Sequence, residues 1–256
     1  MNITFYKYQG TGNDFVMIDN REGVFPHNTN LVSKMCDRKF GIGADGLILI
    51  ENHETLDFEM VYFNADGSQS LCGNGSRCAV AFANFLGVIK EHTNFLTIDG
   101  EYEADIKSGL VHLHMRDQHS PERFDSHYFL NNGSPHHIEF VENAEVQDVF
   151  AKGAAIRYSD PYQPSGTNVN FVEIKPSNTI FVRTYERGVE DETLSCGTGI
   201  TASALAAANQ GLKSPIAIEA KGGKLEVQFE QKSDNSFINI CLIGPAEQVF
   251  VGQYDI

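Results

Sequence analysis

Two cysteines in this 256-residue chain lie far apart within nearly the same local sequence, and this duplication is the strongest constraint on the fold. Cys72 begins the sequence Cys-Gly-Asn-Gly, and Cys196 begins Cys-Gly-Thr-Gly. A strand-like apolar run precedes each cysteine, at residues 58–63 and 180–185, and an alanine-rich run typical of a helix follows each. The sequence therefore predicts a duplicated unit with a cysteine at the start of a helix in each copy.

Strand patterns extend this repeat on both sides of the cysteines. Alternating apolar residues separated by turn residues predict short strands, mostly paired as hairpins. The predicted strands are residues 3–8, 15–19, 95–98, 102–106 and 110–115 in the first copy, and residues 137–141, 170–174, 216–218, 224–229 and 237–243 in the second. The fold class is therefore α/β (α+β), with two pseudo-symmetric domains of mostly antiparallel or mixed sheet around a central helix.

The predicted helices, residues 78–85 and 201–209, carry almost no charge, which favours a position inside the sheet rather than on its surface. A charged segment at residues 117–125, which contains Pro121, is the predicted domain boundary. We therefore expect one domain at residues 1–116 and a second at residues 117–244. The tail, residues 245–256, is assigned to the first domain, although no pattern in the tail itself dictates this.

The position of the two cysteines points to acid–base chemistry. A helix N-terminus favours negative charge, so it lowers the pKa of a thiol and makes the thiolate accessible near neutral pH. The glycines after each cysteine allow a small anion to approach the backbone N–H groups. Two such sites facing each other would form a pocket with one thiol on each side. Cys36, Cys78 and Cys241 lie in or beside apolar runs without this glycine frame, which is typical of small buried side chains.

Composition excludes several classes of partner. The formal charge of −15 argues against nucleic acid and against an anionic membrane surface, because both carry negative charge. We find no run of membrane-spanning length and no signal-peptide pattern at the N-terminus. Five cysteines without an export signal indicate reduced thiols and a cytoplasmic location. The nine histidines form no metal-ligand pattern with the cysteines, so no metal is expected.

A series of motifs then matches one known family in order along nearly the whole chain. They are residues 10–15 (GTGNDF), 41–46 (GIGADG), 63–68 (FNADGS), 72–75 (CGNG) with Arg77, 133–136 (GSPH), 169–171 (VNF), 185–188 (YERG) and 196–199 (CGTG). On these residues the chain resembles the diaminopimelate epimerase family, whose members invert an amino-acid centre without a cofactor. The resemblance implies two similar barrel-like domains, each around a central helix, with the site in the cleft, and a homodimer.

The same resemblance implies roles for individual residues. Cys72 and Cys196 are implied to be the paired acid and base, with His136 and Glu186 assisting near the reacting centre. Helix N-termini are implied to hold the reacting α-carboxylate of the substrate, through Gly73, Asn74, Gly197 and Thr198. The other amino and carboxylate groups of the substrate are implied to be held by Asn13, Asn64, Asn170 and Arg187.

Two positions depart from the family pattern. Ser134 stands where the family usually has asparagine, so that contact is expected to be shorter or bridged by water. Gly46 stands where some members have glutamine, so no side-chain contact is expected there.

Three other functions are compatible with parts of this pattern. Arg187 and the asparagines favour a substrate with polar groups at both ends, so diaminopimelate is preferred over proline or hydroxyproline, the substrates of other epimerases of this broad fold. A thiol redox sensor would instead use Cys72 and Cys196 to form a disulfide. An isomerase like that of phenazine biosynthesis is disfavoured, because it works without this cysteine pair.

Overall fold

The last strand of the chain, Glu247–Asp255, pairs antiparallel with the first strand, Asn2–Gly10. The amino group of Met1 donates a hydrogen bond of 2.7 Å to the carbonyl oxygen of Ile256, next to this pair. The C-terminal tail therefore completes the sheet of the N-terminal part. The computed structural model describes all residues 1–256, and they divide into a first unit of residues 1–113 with 244–256 and a second unit of residues 114–243.

Both units consist of short strands with two helices each. The elements assigned to the first unit are β1 (Asn2–Gly10), β2 (Asn13–Asp19), α1 (Thr29–Cys36), β3 (Gly46–Glu51), β4 (Phe58–Asn64), α2 (Gly73–Phe85), β5 (His92–Thr97), β6 (Gly100–Lys107), β7 (Leu110–His114) and the final strand β17 (Glu247–Asp255). Those of the second are β8 (Glu122–Arg123), β9 (Tyr128–Asn131), β10 (Pro135–Phe140), α3 (Val149–Arg157), β11 (Asn168–Lys175), β12 (Thr179–Glu186), β13 (Asp191–Thr193), α4 (Gly197–Ala208), β14 (Ile216–Ala220), β15 (Gly223–Gln231) and β16 (Phe237–Gly244).

Strand pairing repeats between the two units. In the first unit β2 and β3 are parallel, as are β4 and β5, whereas β1–β2, β3–β4, β5–β6 and β6–β7 are antiparallel. In the second unit the parallel pairs are β10–β11 and β12–β14, and β9–β10, β11–β12, β14–β15 and β15–β16 are antiparallel. A helix connects the two strands of every parallel pair, as a crossover requires. This arrangement confirms the predicted mixed sheet and the duplication.

The two alanine-rich helices lie inside their own sheets, as predicted. Helix α2 packs on β1 to β4, and α4 packs on strands from β9 to β15. Every residue of α4 except Thr198 is buried, and Ile200 and Leu205 belong to the main apolar core of the second unit. A helix that is apolar on all sides requires such coverage. Both helices begin directly after a cysteine, earlier than their alanine-rich runs indicate, because glycines fill the first turn.

Helices α1 and α3 were not predicted. Both are short, and α3 carries a glycine and exposed apolar side chains that obscure its periodicity. Their N-caps are ordinary: Asn28 accepts from two backbone N–H groups, and Asp148 accepts from the N–H of Ala151. None of the helices is both long and apolar enough to cross a bilayer.

A buried histidine on β10 makes the stability of the second unit sensitive to acid. The ring of His137 stacks on His127 with centroids 4.1 Å apart, and its Nδ1 is 2.8 Å from the hydroxyl of Tyr162. Burial, and then the charge of His127, lower the pKa of His137 from 6.5 to about 3. Folding therefore favours the neutral ring. The contribution of this neutral ring to the free energy of unfolding is fully present above pH 6.5. It is lost as the pH decreases from 6.5 towards 3.

We predict that the melting temperature falls over this pH range and that His137→Gln makes the fall shallower, because glutamine cannot be protonated. Thermal melts followed by circular dichroism between neutral and acid pH measure this. The matched control is His119→Gln, since His119 is exposed on the same unit. An equal pH slope in the wild type and in the His137 variant would contradict the prediction.

Candidate active site

Cys72 is the N-cap residue of α2, and its sulfur contacts both the helix and a neighbouring side chain. Its backbone is extended, with φ −135° and ψ 111°, and its carbonyl oxygen accepts the first helical bond from the N–H of Ser76 at 2.8 Å. The N–H of Gly75 donates to Sγ at 3.3 Å, and the thiol donates to Oδ1 of Asn13 at 3.4 Å. The sulfur thus occupies the position of a capping oxygen, beside N–H groups at the positive end of a helix.

Asn13 reaches this sulfur because of a tight hairpin. Thr11 and Gly12 both have positive φ, 51° and 86°, which is the backbone of a two-residue turn between β1 and β2. Nδ2 of Asn13 donates to Oδ2 of Asp45 at 2.7 Å. Because a carboxylate only accepts, the amide nitrogen must face Asp45, and Oδ1 is left facing Cys72.

Asp45 is in turn held by a network of charges. Arg38 donates to both Asp45 and Asp14 at 2.6 Å, and the buried Lys7 lies 2.7 Å from Asp14. Burial raises the pKa of Asp14, but hydrogen bonds and charge from Arg38 and Lys7 outweigh this and lower it to about 2. Asp14 therefore stays ionised near neutral pH, and Arg38 ties it to Asp45, which orients Asn13.

Asn74 links Asn13 to a buried cation. Its Nδ2 donates to Oδ1 of Asn13 at 3.4 Å, and its Oδ1 accepts from Arg77 at 3.0 Å. Arg77 has no exposed surface, and its Nε and Nη1 have no hydrogen-bond partner. Burial lowers the pKa of Arg77, against the opposing influence of Cys78 and Cys72. The Cys72 cluster, defined as Asn13, Asp45, Cys72, Asn74 and Arg77, therefore places a positive charge near the thiol.

Asn64 lies at the end of β4, where its side chain belongs to a turn. Nδ2 donates to the hydroxyl of Ser68 at 3.0 Å, and Oδ1 accepts from the hydroxyl of Ser70 at 3.2 Å. Gly46, at the start of β3, lies against the neighbouring strand. A Cβ there would be 2.5 Å from both the carbonyl oxygen of Phe63 and the ring of Tyr62, so this position has no room for a longer side chain.

Cys196 is the N-cap residue of α4, with almost the same backbone as Cys72 at φ −117° and ψ 111°. Its carbonyl oxygen accepts from the N–H of Ile200 at 2.8 Å. Its sulfur, however, has a different neighbour: Sγ lies 3.6 Å from the hydroxyl oxygen of Thr198. The two cysteines therefore share a backbone conformation, but a different side chain contacts each sulfur.

His136 and Asn170 are brought together behind Thr198. Nε2 of His136 is 3.0 Å from the Thr198 hydroxyl, and Nδ1 is 3.2 Å from Nδ2 of Asn170. Thr184, the cross-strand neighbour of Asn170, donates to Oδ1 of Asn170 at 2.9 Å. Burial, and then the charge of Arg187, lower the pKa of His136 to about 3, so its ring is neutral at pH 7. We call these five residues, His136, Asn170, Thr184, Cys196 and Thr198, the Cys196 cluster.

Glu186 ends β12 and Arg187 follows it in a turn, and both are half-buried. Glu186 accepts from the hydroxyl of Thr193 at 2.8 Å. The backbone N–H of Arg187 donates to Oδ1 of Asn168 at 2.9 Å, and its guanidinium donates to the carbonyl oxygen of Ser165 at 3.3 Å. Nδ2 of Asn168 also donates to the hydroxyl of Ser134 at 2.8 Å, so Ser134 is bound within the protein.

The remaining cysteines are buried, as expected of small apolar side chains. Burial raises the pKa of Cys36 to about 12 and that of Cys78 still further. These two thiols are therefore protonated near neutral pH. We find no group of three or more histidine, cysteine or acidic side chains arranged to hold a metal ion.

Comparison of the sequence with known proteins identifies its family. The family model described as diaminopimelate epimerase matches residues 5–117 and 128–249. This chain belongs to the diaminopimelate epimerase family. A relative from Flavobacterium psychrophilum, named diaminopimelate epimerase, is 54% identical over 97% of this chain and 98% of its own length. Relatives with the same name from Chlorobaculum tepidum and Aquifex aeolicus are 44% and 40% identical, over 95% and 98% of this chain and 98% and 97% of their own.

Solved structures with little sequence identity share the fold of this family. A phenazine biosynthesis protein of the PhzF family from Bacillus anthracis superposes with a TM-score of 0.77 at 14% identity, and the match covers both chains completely. A hydroxyproline epimerase from Agrobacterium vitis, solved with bound trans-4-hydroxy-L-proline, gives a TM-score of 0.72 at 14% identity over 98% of this chain and 92% of that one. These similarities establish the architecture.

The sequence patterns do not identify four residues in or beside the two clusters as site residues. Asp45, Asn168 and Thr184 act through other side chains, and Arg77 was noted only as part of a family motif. A signal existed for two of them: Asp45 lies inside the 41–46 motif, and Asn168 lies two residues before Asn170. Nothing in the sequence distinguishes Thr184, because it lies within the largely apolar run 180–185 that predicts a buried strand.

The second glycine of each Cys-Gly-x-Gly motif has a different steric role. A Cβ at Gly199 would lie 2.4 Å from Oδ1 of Asn170 and 3.2 Å from the His136 ring, so this pair would have to move. A Cβ at Gly75 would meet side-chain atoms of Ile48, Cys72 and Met60 at 3.2–3.4 Å. The ends of isoleucine and methionine side chains adjust more easily than a buried hydrogen-bonded pair.

We predict that Gly199→Ala lowers the free energy of unfolding by about 1–3 kcal/mol, the usual cost of overpacking. Gly75→Ala should change it by less than ~1 kcal/mol, because the helix propensity gained from alanine offsets a milder contact. Urea unfolding followed by circular dichroism measures both variants. Equal losses in the two would contradict the assignment.

Proposed function

We propose that this protein interconverts LL-diaminopimelate and meso-diaminopimelate by moving a proton at the α-carbon between two cysteines, without a cofactor. One observation carries the proposal: each unit starts its buried central helix at the residue after a cysteine, inside a duplicated Cys-Gly-x-Gly frame. The relatives named diaminopimelate epimerase, at 40–54% identity over nearly the whole chain, support the choice of substrate.

Inversion needs two groups that act on opposite faces of the carbon. One group removes the α-proton and the other supplies a proton from the far side, so one must start as a thiolate and the other as a thiol. Two residues of the same type suit a reversible reaction, because neither direction is strongly disfavoured. We assign these roles to Cys72 and Cys196, and their titrations are coupled through the substrate.

The carbanion that forms pushes negative charge onto the neighbouring carboxylate. We propose that the first turns of α2 and α4, at Gly73, Asn74, Gly197 and Thr198, stabilise this charge. The first N–H groups of a helix lack acceptors within the helix and lie at its positive end. Such donors are already oriented before the reaction, and losing one in a comparable site costs about 3 kcal/mol.

The side chains around the cysteines have supporting roles. Asn13 contacts Cys72 directly, and His136 reaches Cys196 through Thr198. Asn64 and Glu186 remain proposed substrate or assisting residues from the family resemblance, although their side chains also bond within the protein. Asn170 is fully buried and bonded to His137 and Thr184, so we propose that it acts through its neighbours and not by direct contact with substrate. Cytoplasmic location and a homodimer are likewise proposals that rest on the family, and light scattering tests the second.

We predict that Cys72→Ala and Cys196→Ala each reduce epimerisation by about 10²–10⁴-fold or more, the usual contribution of a proton-transferring side chain. The assay incubates LL- or meso-diaminopimelate with the protein in heavy water and follows deuterium at the α-carbon. The single remaining thiol should exchange the hydrogen of only one stereoisomer, and the two variants should differ in which one. The control is Cys36→Ala, which removes a buried thiol outside both clusters.

This experiment separates the proposed function from its alternatives. Near-normal turnover in either active-site variant would rule out the two-thiol mechanism. Exchange of the same stereoisomer by both variants would contradict the assignment of opposite faces. If the wild type exchanged proline or hydroxyproline as fast as diaminopimelate, the choice of substrate would be wrong.

Arg187 is proposed to bind the distal carboxylate of the substrate. Its backbone is anchored by Asn168, and its charge is close enough to lower the pKa of His136, so it lies near the Cys196 cluster. A planar guanidinium binds a carboxylate with two parallel hydrogen bonds, whereas an ammonium group cannot.

We predict that Arg187→Lys lowers kcat/KM for diaminopimelate by about tenfold to a hundredfold, because a charge-assisted hydrogen bond to the substrate is lost. Steady-state kinetics measure this. The control is Arg123→Lys, at an exposed position of β8, which should leave kcat/KM unchanged. Unchanged kinetics in Arg187→Lys would remove this residue from the proposed substrate site.

A further inference from the structure

Asn170 has every hydrogen-bonding atom of its side chain engaged, and these bonds fix its orientation. Its side chain is fully buried. Nδ2 donates to the carbonyl oxygen of His137 at 3.0 Å, and Oδ1 accepts from the hydroxyl of Thr184 at 2.9 Å. A backbone carbonyl only accepts, so the atom that faces His137 must be the amide nitrogen.

This orientation determines which nitrogen of His136 carries the proton. The same Nδ2 of Asn170 lies 3.2 Å from Nδ1 of His136, and an amide nitrogen can only donate. Nδ1 of His136 must therefore accept. Because the buried ring is neutral, its single proton is on Nε2, which donates to the hydroxyl oxygen of Thr198 at 3.0 Å.

Thr198 then has its own hydroxyl hydrogen to donate. Its oxygen already accepts from His136, and the sulfur of Cys196 lies 3.6 Å away. Hydrogen bonds to sulfur are longer than those to oxygen, and a donor stabilises a thiolate more than a thiol. Gly199 permits this packing, because a Cβ there would collide with Asn170.

We propose that Asn170 is a positioning residue: it holds His136 in the Nε2–H tautomer, so that the hydroxyl of Thr198 donates its hydrogen to the sulfur of Cys196. This inference deepens the proposed function and rests on it for its catalytic meaning. In that reaction the Cys196 thiolate takes the α-hydrogen of the substrate as a proton and becomes a thiol. The donated hydrogen bond favours the thiolate before this step.

The contacts described for the Cys72 cluster differ from this series of hydrogen bonds. There the amide oxygen of Asn13, held in place by Asp45, accepts a hydrogen bond from the thiol. The buried Arg77 interacts electrostatically with Cys72, whereas Arg187 interacts with His136. The two thiols are therefore tuned by different means.

The first test reads the tautomer directly in the protein without substrate. Nitrogen-15 NMR of the labelled wild type should give a pyridine-type Nδ1 and a pyrrole-type Nε2 for His136, identified by the loss of its signals in His136→Gln. In Asn170→Leu, which keeps the volume but removes the donor, both shifts should move towards those of a tautomer mixture. A pyrrole-type Nδ1 in the wild type would overturn the proposal.

The second test reads the sulfur. Ultraviolet thiolate absorbance is titrated with pH, and the same variant with Cys196→Ser is subtracted to isolate Cys196. We expect Thr198→Val to raise the midpoint of thiolate formation by about one pH unit, a tenfold loss of thiolate at a given pH. Thr198→Ser should restore the wild-type midpoint, because it keeps the hydroxyl.

Ser203→Ala is the matched control, because it removes another buried hydroxyl of α4 that donates only to a backbone carbonyl. It should leave the midpoint unchanged. An unchanged midpoint in Thr198→Val would overturn the proposal, as would an equal shift in Ser203→Ala. Neither test requires turnover, so failure of this inference is distinguishable from failure of the proposed epimerase activity, which the heavy-water assay reads.

Discussion

Burial of a central helix is the constraint on which each unit depends. Every residue of α4 except Thr198 is buried, and α2 is buried from Gly73 to Val80. Such a helix is stable in water only when strands surround it, since its apolar surface must be removed from solvent. The sheet therefore covers the sides of the helix, and the polar first turn, with its cysteine, is the part from which chemistry is possible.

Placing cysteine at the N-cap has a further consequence. The usual N-cap side chains supply an oxygen that accepts from the first turn, and Sγ of Cys72 takes that place by accepting from Gly75. A sulfur so placed is positioned by the helix itself, independently of long side chains. The same backbone conformation recurs at Cys196, and the duplicated pairing of strands carries both cysteines to equivalent points of the fold.

The side chains that surround the two cysteines differ between the units, and so do the cations near them. The chain carries a net charge of −15, yet a cation lies near a residue of each cluster: Arg77 interacts with Cys72 in the first unit, and Arg187 with His136 in the second. Arg77 is fully buried, with two nitrogen atoms that lack partners. Burial weakens solvent screening, so one such cation influences a nearby thiolate more than many surface carboxylates do.

Much of this architecture could be predicted from the sequence alone. The duplicated Cys-Gly-x-Gly frame, the uncharged alanine-rich runs and the alternating strands led to the mixed sheets, the two buried helices and the family, because each depends on local periodicity and spacing. Helices α1 and α3 escaped prediction, since short helices with irregular apolar spacing have no clear period.

Only the tertiary structure decided which atoms meet. Asp45 orients Asn13, and Thr184 and Asn170 orient His136, through contacts between strands that are remote in sequence. Hydrogen-bond direction depends on such three-dimensional contacts, and no pattern along the chain encodes it.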